Sequence, residues 1–283
     1  MAIDFSLLDL LGIPLEIRVV EVGAGFNAAD DDPFSCLVSR GAVSVVGFEP
    51  AQSECDRLNA LHAPRHRFLP YYIGDGTRRT FHVTNQPTTC SLYEPNTPLL
   101  EKFQNLAELV TPVSTEMVQT HRLDDLLDLI GDADCIKLDV QGAELDVLRG
   151  AEKLLAGITL VYSEVEFVPL YKDQPLFGDV DAFLRSQGFQ FHRIHSLAGR
   201  AIKPFKVGNN LNAQLSQMLW ANVLYVRDFL SFDQVPPPKL LRLACMLHEF
   251  CGSVDLAYLA LQSCDRALGT DYAARYIERI GRE

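Results

Sequence analysis

The sequence contains no long apolar segment and no excess of basic residues. No apolar run in the 283-residue chain approaches the roughly 18 residues that a membrane-spanning helix requires. The beginning of the sequence also lacks the basic region and the apolar block of a secretion signal, so we expect a cytoplasmic protein. A formal net charge of −12 disfavours binding to nucleic acids or anionic membranes.

The seven cysteines include no CxxC pair. An odd number without such spacing predicts free thiols rather than a disulfide framework. Repeats and low-complexity tracts are also absent, and 48% hydrophobic content is enough to bury a large core. We therefore expect one large domain over residues 1–232. The prolines 236–238 then mark the start of a helical extension over residues 236–283.

The segment Ile136–Leu155 (IKLDVQGAELDVLRGAEKLL) organises the rest of the chain. Its first part alternates apolar and polar residues, which predicts a strand, and Gly142 then interrupts the pattern. The following leucines recur at helical spacing up to Leu155. Asp139 thus stands at the carboxyl end of a strand, before a tight turn and a helix. Ligands bind at that edge in open α/β sheets.

Further strands alternate with helices along the chain, which predicts an α/β fold with a doubly wound, mostly parallel sheet. The predicted strands include 17–22, 43–48, 68–73, 159–167, 189–194 and 219–226, with helices at 99–109 and 123–130 and a long loop at 195–217. Right-handed crossovers place the carboxyl ends of parallel strands on one edge. The acidic residues at or near those ends are Glu21, Glu49, Asp75, Asp139, Glu164 and Glu166.

A glycine turn after the first strand favours a nucleoside cofactor. Gly23 and Gly25 follow Glu21, and Glu49 follows Gly25 by 24 residues. An acid at that distance accepts hydrogen bonds from ribose hydroxyls. The three aspartates at 30–32 would repel a pyrophosphate at the helix start, although a solvated helix end explains them equally well. S-adenosylmethionine carries no phosphate and has a cationic sulfonium, which Glu21 and Asp139 would suit.

The sequence also resembles the FkbM-type family of S-adenosylmethionine-dependent methyltransferases, from about residue 18 to residue 228. The motifs that carry the resemblance are Val20–Gly25, Phe48–Pro50, Ser91–Tyr93, Arg122–Asp125, Ile136–Gly150, Glu164–Tyr171 and Leu219–Asp228. The resemblance implies a Rossmann-like class I methyltransferase fold with a seven-stranded sheet and a last antiparallel strand. It also implies O-methylation of a small-molecule acceptor, often a sugar or natural product.

We assign residues to roles on this basis. The predicted cofactor-binding residues are Glu21, Gly23, Gly25, Glu49, Asp75, Ser91 and Asp139. Asp75 is equally well explained as an ordinary turn residue, and loop serines such as Ser91 usually have only that role. The predicted catalytic residues are Asp139, Glu164 and His121, any of which could accept the proton of the acceptor hydroxyl. Glu166 is a further candidate, and Glu164 has an alternative as the partner of Lys137.

The sequence also allows alternative functions. No metal is assigned, because acids that face a sulfonium explain the same residues. A nicotinamide-dependent oxidoreductase would share the glycine turn, but no tyrosine has a lysine four residues later. A non-catalytic cofactor-binding or partner-binding module is the third possibility. We expect the acceptor pocket to come from residues 86–98, 168–177 and 195–217, and a homodimer, if one forms, to use the C-terminal helices.

Overall fold

The computed structural model describes residues 5–25, 33–62 and 64–281. A seven-stranded sheet lies at its centre. Its strands are β1 (Ile17–Val22), β2 (Val43–Phe48), β3 (His66–Leu69), β7 (Cys135–Leu138), β8 (Leu160–Glu166), β9 (Phe189–Gly199) and β10 (Met218–Arg227). A smaller three-stranded sheet contains β4 (Tyr72–Ile73), β5 (Arg78–Thr84) and β6 (Pro112–His121).

The strand order of the large sheet is β3-β2-β1-β7-β8-β10-β9. β3, β2, β1, β7 and β8 are parallel neighbours, whereas β10 runs antiparallel to both β8 and β9. The predicted mostly parallel sheet with a last antiparallel strand is therefore confirmed. Because β1, β2, β7 and β8 are parallel, their carboxyl ends share one edge, and the acids that follow or end them are brought to that edge.

Helices cover both faces of the sheet. Their bounds are α1 (Leu7–Leu11), α2 (Ser35–Ser39), α3 (Gln52–His62), α4 (Thr97–Leu100), α5 (Leu106–Leu109), α6 (Leu127–Ile130), α7 (Glu144–Arg149), α8 (Glu152–Leu155), α9 (Phe177–Ser186), α10 (Pro237–Glu249), α11 (Val254–Leu268) and α12 (Tyr272–Ile280). One core cluster joins α1, α2 and α10 to α12 with the sheet. A second cluster joins α7, α8 and α9 with the opposite face.

The two central strands are buried along their whole length. Every residue of β7 and β8 is shielded from solvent, as expected for parallel strands covered on both faces. Even so, β8 ends in Glu164 and Glu166, whose burial costs free energy unless their carboxyl groups find partners. Packing alone therefore does not explain these two acids.

The C-terminal helices pack against the sheet rather than standing apart from it. Leu240 and Leu261 belong to the same core cluster as Leu160 of β8. Arg242 also forms an ion pair of 3.1 Å with the fully buried Asp134, just before β7. The predicted division between residues 1–232 and 236–283 stays a prediction. No helix among the described residues is both long and apolar enough to span a membrane.

The structure corrects several predicted elements. The predicted strand 68–73 is two strands in different sheets, β3 and β4, and Pro70 lies between them, where it cannot donate a backbone hydrogen bond. The predicted helix 99–109 is two short helices, and Asn105, just before the second one, has a left-handed φ of 61°. The predicted loop 195–217 begins later, because β9 continues to Gly199.

Candidate active site

A cavity opens at the carboxyl ends of β1, β2 and β7, and we call it the strand-edge cavity. Gly23 and Gly25 line it after β1, Glu49 after β2 and Asp139 after β7. The small sheet closes the opposite side with aromatic and apolar residues. Sheet topology therefore accounts for the position of this cavity, since each of its three acidic or glycine-rich segments directly follows a parallel strand.

Gly23 lets the turn after β1 pack directly on the turn after β7. Its φ is 81°, which residues with a side chain rarely adopt. A Cβ atom at this position would lie 1.9 Å from the backbone oxygen of Asp139. Only glycine fits between the two chain segments, and this close approach helps to fix the backbone that carries Asp139.

Gly25 leaves room for the carboxylate of Glu49. A Cβ atom on Gly25 would lie 2.2 Å from Oε2 of Glu49. Glu49 is only 7% exposed, and its Oε1 accepts a hydrogen bond of 2.9 Å from the backbone N–H of Ala51. Burial raises the pKa of Glu49, and the backbone N–H groups of Ala51 and Gly25 oppose that rise. Glu49 is thus a positioned hydrogen-bond acceptor at the cavity wall.

Aromatic residues form part of the wall. The side chains of Tyr72 and Phe81, from the small sheet, meet edge to face at 5.0 Å, and both line the cavity. Phe48 and Tyr71 form a second edge-to-face pair at 6.3 Å. An apolar wall beside one buried carboxylate suits a ligand that joins a flat heterocycle to a hydroxylated ring.

A second cavity of about 280 Å³ lies beside the first. Thr88, Asp139 and Gln141 line both cavities, so the two spaces adjoin at these residues. The second cavity is lined by Glu164, Glu166 and Arg200 and by several apolar residues. The apolar residues are Leu100, Leu106, Leu109, Val110 and Leu170. Its volume is close to the lower limit of ligand pockets, roughly 300 Å³.

Gln141 connects the residues at this junction. Its Nε2 donates hydrogen bonds of 2.8 Å to both Asp139 Oδ1 and Glu164 Oε2. Its Oε1 accepts from the hydroxyl of Tyr171 at 3.2 Å, and its backbone oxygen accepts from Oγ of Ser91 at 2.7 Å. The φ of Gln141 is 55°, an unfavourable conformation for a residue with a side chain. Surrounding contacts hold this conformation, which is typical of functional sites.

Three buried glutamates stand next to the junction. Carboxylate oxygens of Glu144, Glu164 and Glu166 lie within 4.8 Å of one another. Burial, together with neighbouring carboxylates, raises the pKa of Glu164 and of Glu166 well above the usual range. Burial raises the pKa of Glu144 to about 7, although its Oε1 accepts from the backbone N–H of Val140 at 2.9 Å. Burial therefore favours the protonated forms of the acids in this cluster.

The structure brings most of the predicted site residues together. Gly23, Gly25, Glu49, Ser91 and Asp139 all line the strand-edge cavity. Glu164 lines the second cavity together with Asp139. The loops predicted to form the acceptor pocket also meet there, since Thr88, Tyr171 and Arg200 come from three separate segments. The aspartates at 30–32 lie outside the described residues.

Three predicted site residues lie elsewhere. Glu21 pairs with Lys137, its register neighbour on β7, so its carboxylate charge is already balanced. Asp75 accepts hydrogen bonds from the backbone and hydroxyl groups of Thr77, as a turn residue does. The ring of His121 packs edge to face on Tyr71 at 4.9 Å. None of these three is among the described residues that line either cavity.

The suggested pairing of Glu164 with Lys137 is wrong in this structure, because Lys137 meets Glu21 and Glu164 accepts from Gln141. Gln141 was not predicted as a site residue. The one available signal was its position between a strand-end acid and Gly142, where a left-handed turn residue is common. Arg200 and Tyr171 gave no local signal, because only the tertiary fold brings them to the second cavity.

The strand order and the cavity at the strand ends define the class of the protein. A mostly parallel seven-stranded sheet with β10 inserted antiparallel beside the edge, and a glycine turn after β1, is the Rossmann-like arrangement of class I methyltransferases. The model of the methyltransferase FkbM domain matches residues 21–191. The chain belongs to this FkbM methyltransferase family, which confirms the resemblance found in the sequence.

Individual relatives are more distant. The curated 2-O-methyltransferase NoeI of Sinorhizobium fredii is 32% identical over 146 residues, which cover 47% of this chain and 58% of NoeI. Among solved structures, a TehB-like SAM-dependent methyltransferase from Corynebacterium glutamicum is 11% identical, with 79% of this chain and 88% of that chain covered and a TM-score of 0.35. A precorrin-6y C5,15-methyltransferase from Geobacter metallireducens is 8% identical, with 78% and 85% covered and a TM-score of 0.37. The fold assignment therefore depends on the strand order and the family match.

Proposed function

We propose that this protein is an S-adenosylmethionine-dependent O-methyltransferase that acts on a hydroxyl group of a sugar or another small natural product. The observation that carries the proposal is the junction of two cavities at Asp139 and Gln141. One cavity suits a nucleoside, and the adjoining one is of a size for a small acceptor. The family favours methyl transfer over the nicotinamide chemistry that the glycine turn also allows. The name of NoeI favours a hydroxyl as the site of methylation.

The strand-edge cavity fits S-adenosylmethionine on chemical grounds. Glu49 would accept hydrogen bonds from the ribose hydroxyls, and the aromatic wall that includes Tyr72 and Phe81 would contact the adenine. Asp139 would face the positive charge near the reacting methyl group. When bound, the cofactor supplies that methyl group on a cationic sulfur, which is an electrophilic centre.

The chain's own residues would orient the acceptor and take up its proton. Asp139 and Glu164 present carboxyl groups at the junction, and Gln141 holds both of them by hydrogen bonds. The raised pKa of Glu164 makes its ionised form a stronger base than an ordinary carboxylate. Orientation of the hydroxyl would supply most of the acceleration, and general base catalysis would add about 10²–10⁴-fold.

Two measurements test the proposal. In calorimetry, S-adenosylmethionine should bind the wild type while NAD does not, and Glu49→Ala should weaken the cofactor affinity about tenfold or more through loss of a hydrogen-bonded carboxylate. With a radiolabelled methyl donor and a panel of sugars, Asp139→Asn should stay folded and lose most of the turnover. Preferred binding of NAD, or full turnover by Asp139→Asn, would contradict the proposed function.

A further inference from the structure

Arg200 is a partly buried cation in the wall of the second cavity. It follows β9 directly and lines that cavity with Glu164, Glu166 and Trp220. No carboxylate among the described residues lies within ion-pair distance of its guanidinium group. Burial lowers the pKa of Arg200, which reflects the cost of shielding this charge from water.

The hydrogen bonds of Arg200 are also incomplete. One terminal nitrogen, Nη1, donates to the backbone oxygen of Gly199 at 2.8 Å, and the guanidinium carbon lies 5.0 Å from the ring centre of Trp220. The Nε atom is buried and has no partner among the described residues. Such an orphaned donor in a native fold calls for an explanation, and a planar guanidinium group is suited to bidentate binding of carboxylate, sulfate or phosphate.

The backbone fixes Arg200 at this position. The oxygen of Ala201 accepts from the backbone N–H of Gln104 at 2.9 Å, and Ile202 forms an isolated bridge with Phe103. These bonds connect the segment after β9 to the chain between α4 and α5. The two helices contribute Leu100 and Leu106 to the lining of the same cavity. Backbone contacts therefore fix the position of Arg200 relative to the apolar residues of the cavity.

The acidic residues of the cavity do not exclude an anion. Burial raises the pKa of Glu164 and of Glu166 and so favours their neutral forms, which can donate as well as accept hydrogen bonds. Asp139 lines both cavities, whereas Arg200 lines only the second one. The cavity is thus lined by carboxyl groups, by one cation and by apolar side chains.

We propose that Arg200 binds an anionic group of the methyl acceptor, and that this acceptor is a hydroxylated molecule with a carboxylate, sulfate or phosphate group and a short apolar portion. The inference deepens the proposed function and depends on it for the identity of the reaction. It assigns to the second cavity a class of ligand that neither the family nor the relatives specify.

The test compares acceptors that differ in one charged group. Hexyl β-D-glucuronide and hexyl β-D-glucoside share the ring and the apolar tail and differ in a carboxylate. In calorimetry with the wild type, the glucuronide should bind about tenfold or more tightly than the glucoside, as expected for a charge-assisted hydrogen bond. A third arm, hexyl β-D-glucoside 6-sulfate, shows whether the site prefers a planar carboxylate or a tetrahedral anion.

The variants separate a specific contact from a general loss of structure. Arg200→Gln should abolish the preference for the glucuronide, and Arg200→Lys should retain part of it because the charge remains without the planar fork. Arg149→Gln, which changes an exposed arginine on α7, should behave as the wild type. Affinity for S-adenosylmethionine should stay the same in all of these proteins, which also shows that they are folded.

The outcomes are distinct for the two proposals. Equal affinity of the wild type for the charged and neutral glycosides, or a preference that survives in Arg200→Gln, would overturn the role of Arg200. Failure of S-adenosylmethionine to bind would overturn the proposed function, while the glycoside titrations would still report on the anion site. Absence of binding for both anionic glycosides would likewise overturn the inference.

Discussion

Asp139 and Glu164 accept hydrogen bonds from the same atom, Nε2 of Gln141, each at 2.8 Å. The two acids stand at the ends of neighbouring parallel strands, β7 and β8, and the shared amide holds their carboxyl groups toward the junction of the two cavities. Two carboxyl groups in this position would otherwise repel each other when ionised. The structure therefore builds a paired acid site from two residues at the ends of different strands, and Gln141 lies 23 positions before Glu164 in the chain.

Replacement of Gln141 tests this arrangement. Gln141→Gly should keep the left-handed backbone and remove the amide, so kcat should fall by about 100-fold through misplacement of the acids while cofactor affinity stays the same. Steady-state kinetics and cofactor calorimetry on the same preparation measure both quantities. A variant with unchanged kcat would show that the amide does not position the acids.

The space at Gly25 gives a second prediction. Gly25→Ala should displace the carboxylate of Glu49, because the added Cβ would lie 2.2 Å from Oε2, and cofactor affinity should fall about tenfold or more. Gly178→Ala is the matched control, since no atom lies within 4 Å of its added Cβ and its φ is not left-handed. Equal affinities for the two alanine variants in calorimetry would refute the predicted contact.

The pH dependence of the rate follows from the buried acids. A general base must be ionised, and the pKa of Glu164 is raised by burial and then by the neighbouring carboxylates. The rate constant kcat should therefore rise with pH, with a midpoint above the range of an ordinary carboxylate. Glu166→Gln removes one of those neighbours, which lowers the pKa of Glu164 and should move the rising limb to lower pH. Profiles of the two proteins that coincide would argue against Glu164 as the base.

Chelation tests whether the three glutamates hold a cation. We expect methyl transfer to survive dialysis against EDTA, because Glu144 already accepts from the backbone N–H of Val140. Burial also raises the pKa of Glu164 and of Glu166, which favours their neutral forms over the charged forms that would bind a cation. Activity that is lost on dialysis and restored by Mg²⁺ or Mn²⁺ would instead identify the oxygens grouped within 4.8 Å as metal ligands.

The sheet could be predicted because its central strands are buried on both faces. Segments such as 17–22 and 43–48 are nearly continuous apolar runs, and their observed bounds agree with the predicted ones. By contrast, β6 was not predicted, since most of its residues are exposed and it carries no strong apolar alternation. Pro70 divides one predicted strand into two because it removes a ladder donor.

The candidate site was predicted mainly where a residue's role follows from its place at a strand end, and Ser91 was predicted from a family motif instead. Glu49, Asp139 and Glu164 meet this condition, and the structure brings them to the two cavities. Glu21 also ends a strand, but the register with β7 gives it Lys137 as its partner, and register is not visible in one sequence. Arg200 depends on the pairing of a distant loop, which no local pattern reports.

A crystal structure with S-adenosylhomocysteine bound tests the central claim most directly. We expect the nucleoside in the strand-edge cavity, with its ribose hydroxyls within hydrogen-bond distance of Glu49. The sulfur should be directed toward Asp139, at the junction with the second cavity. Density for the nucleoside at any other position, or a ribose without contact to Glu49, would contradict it.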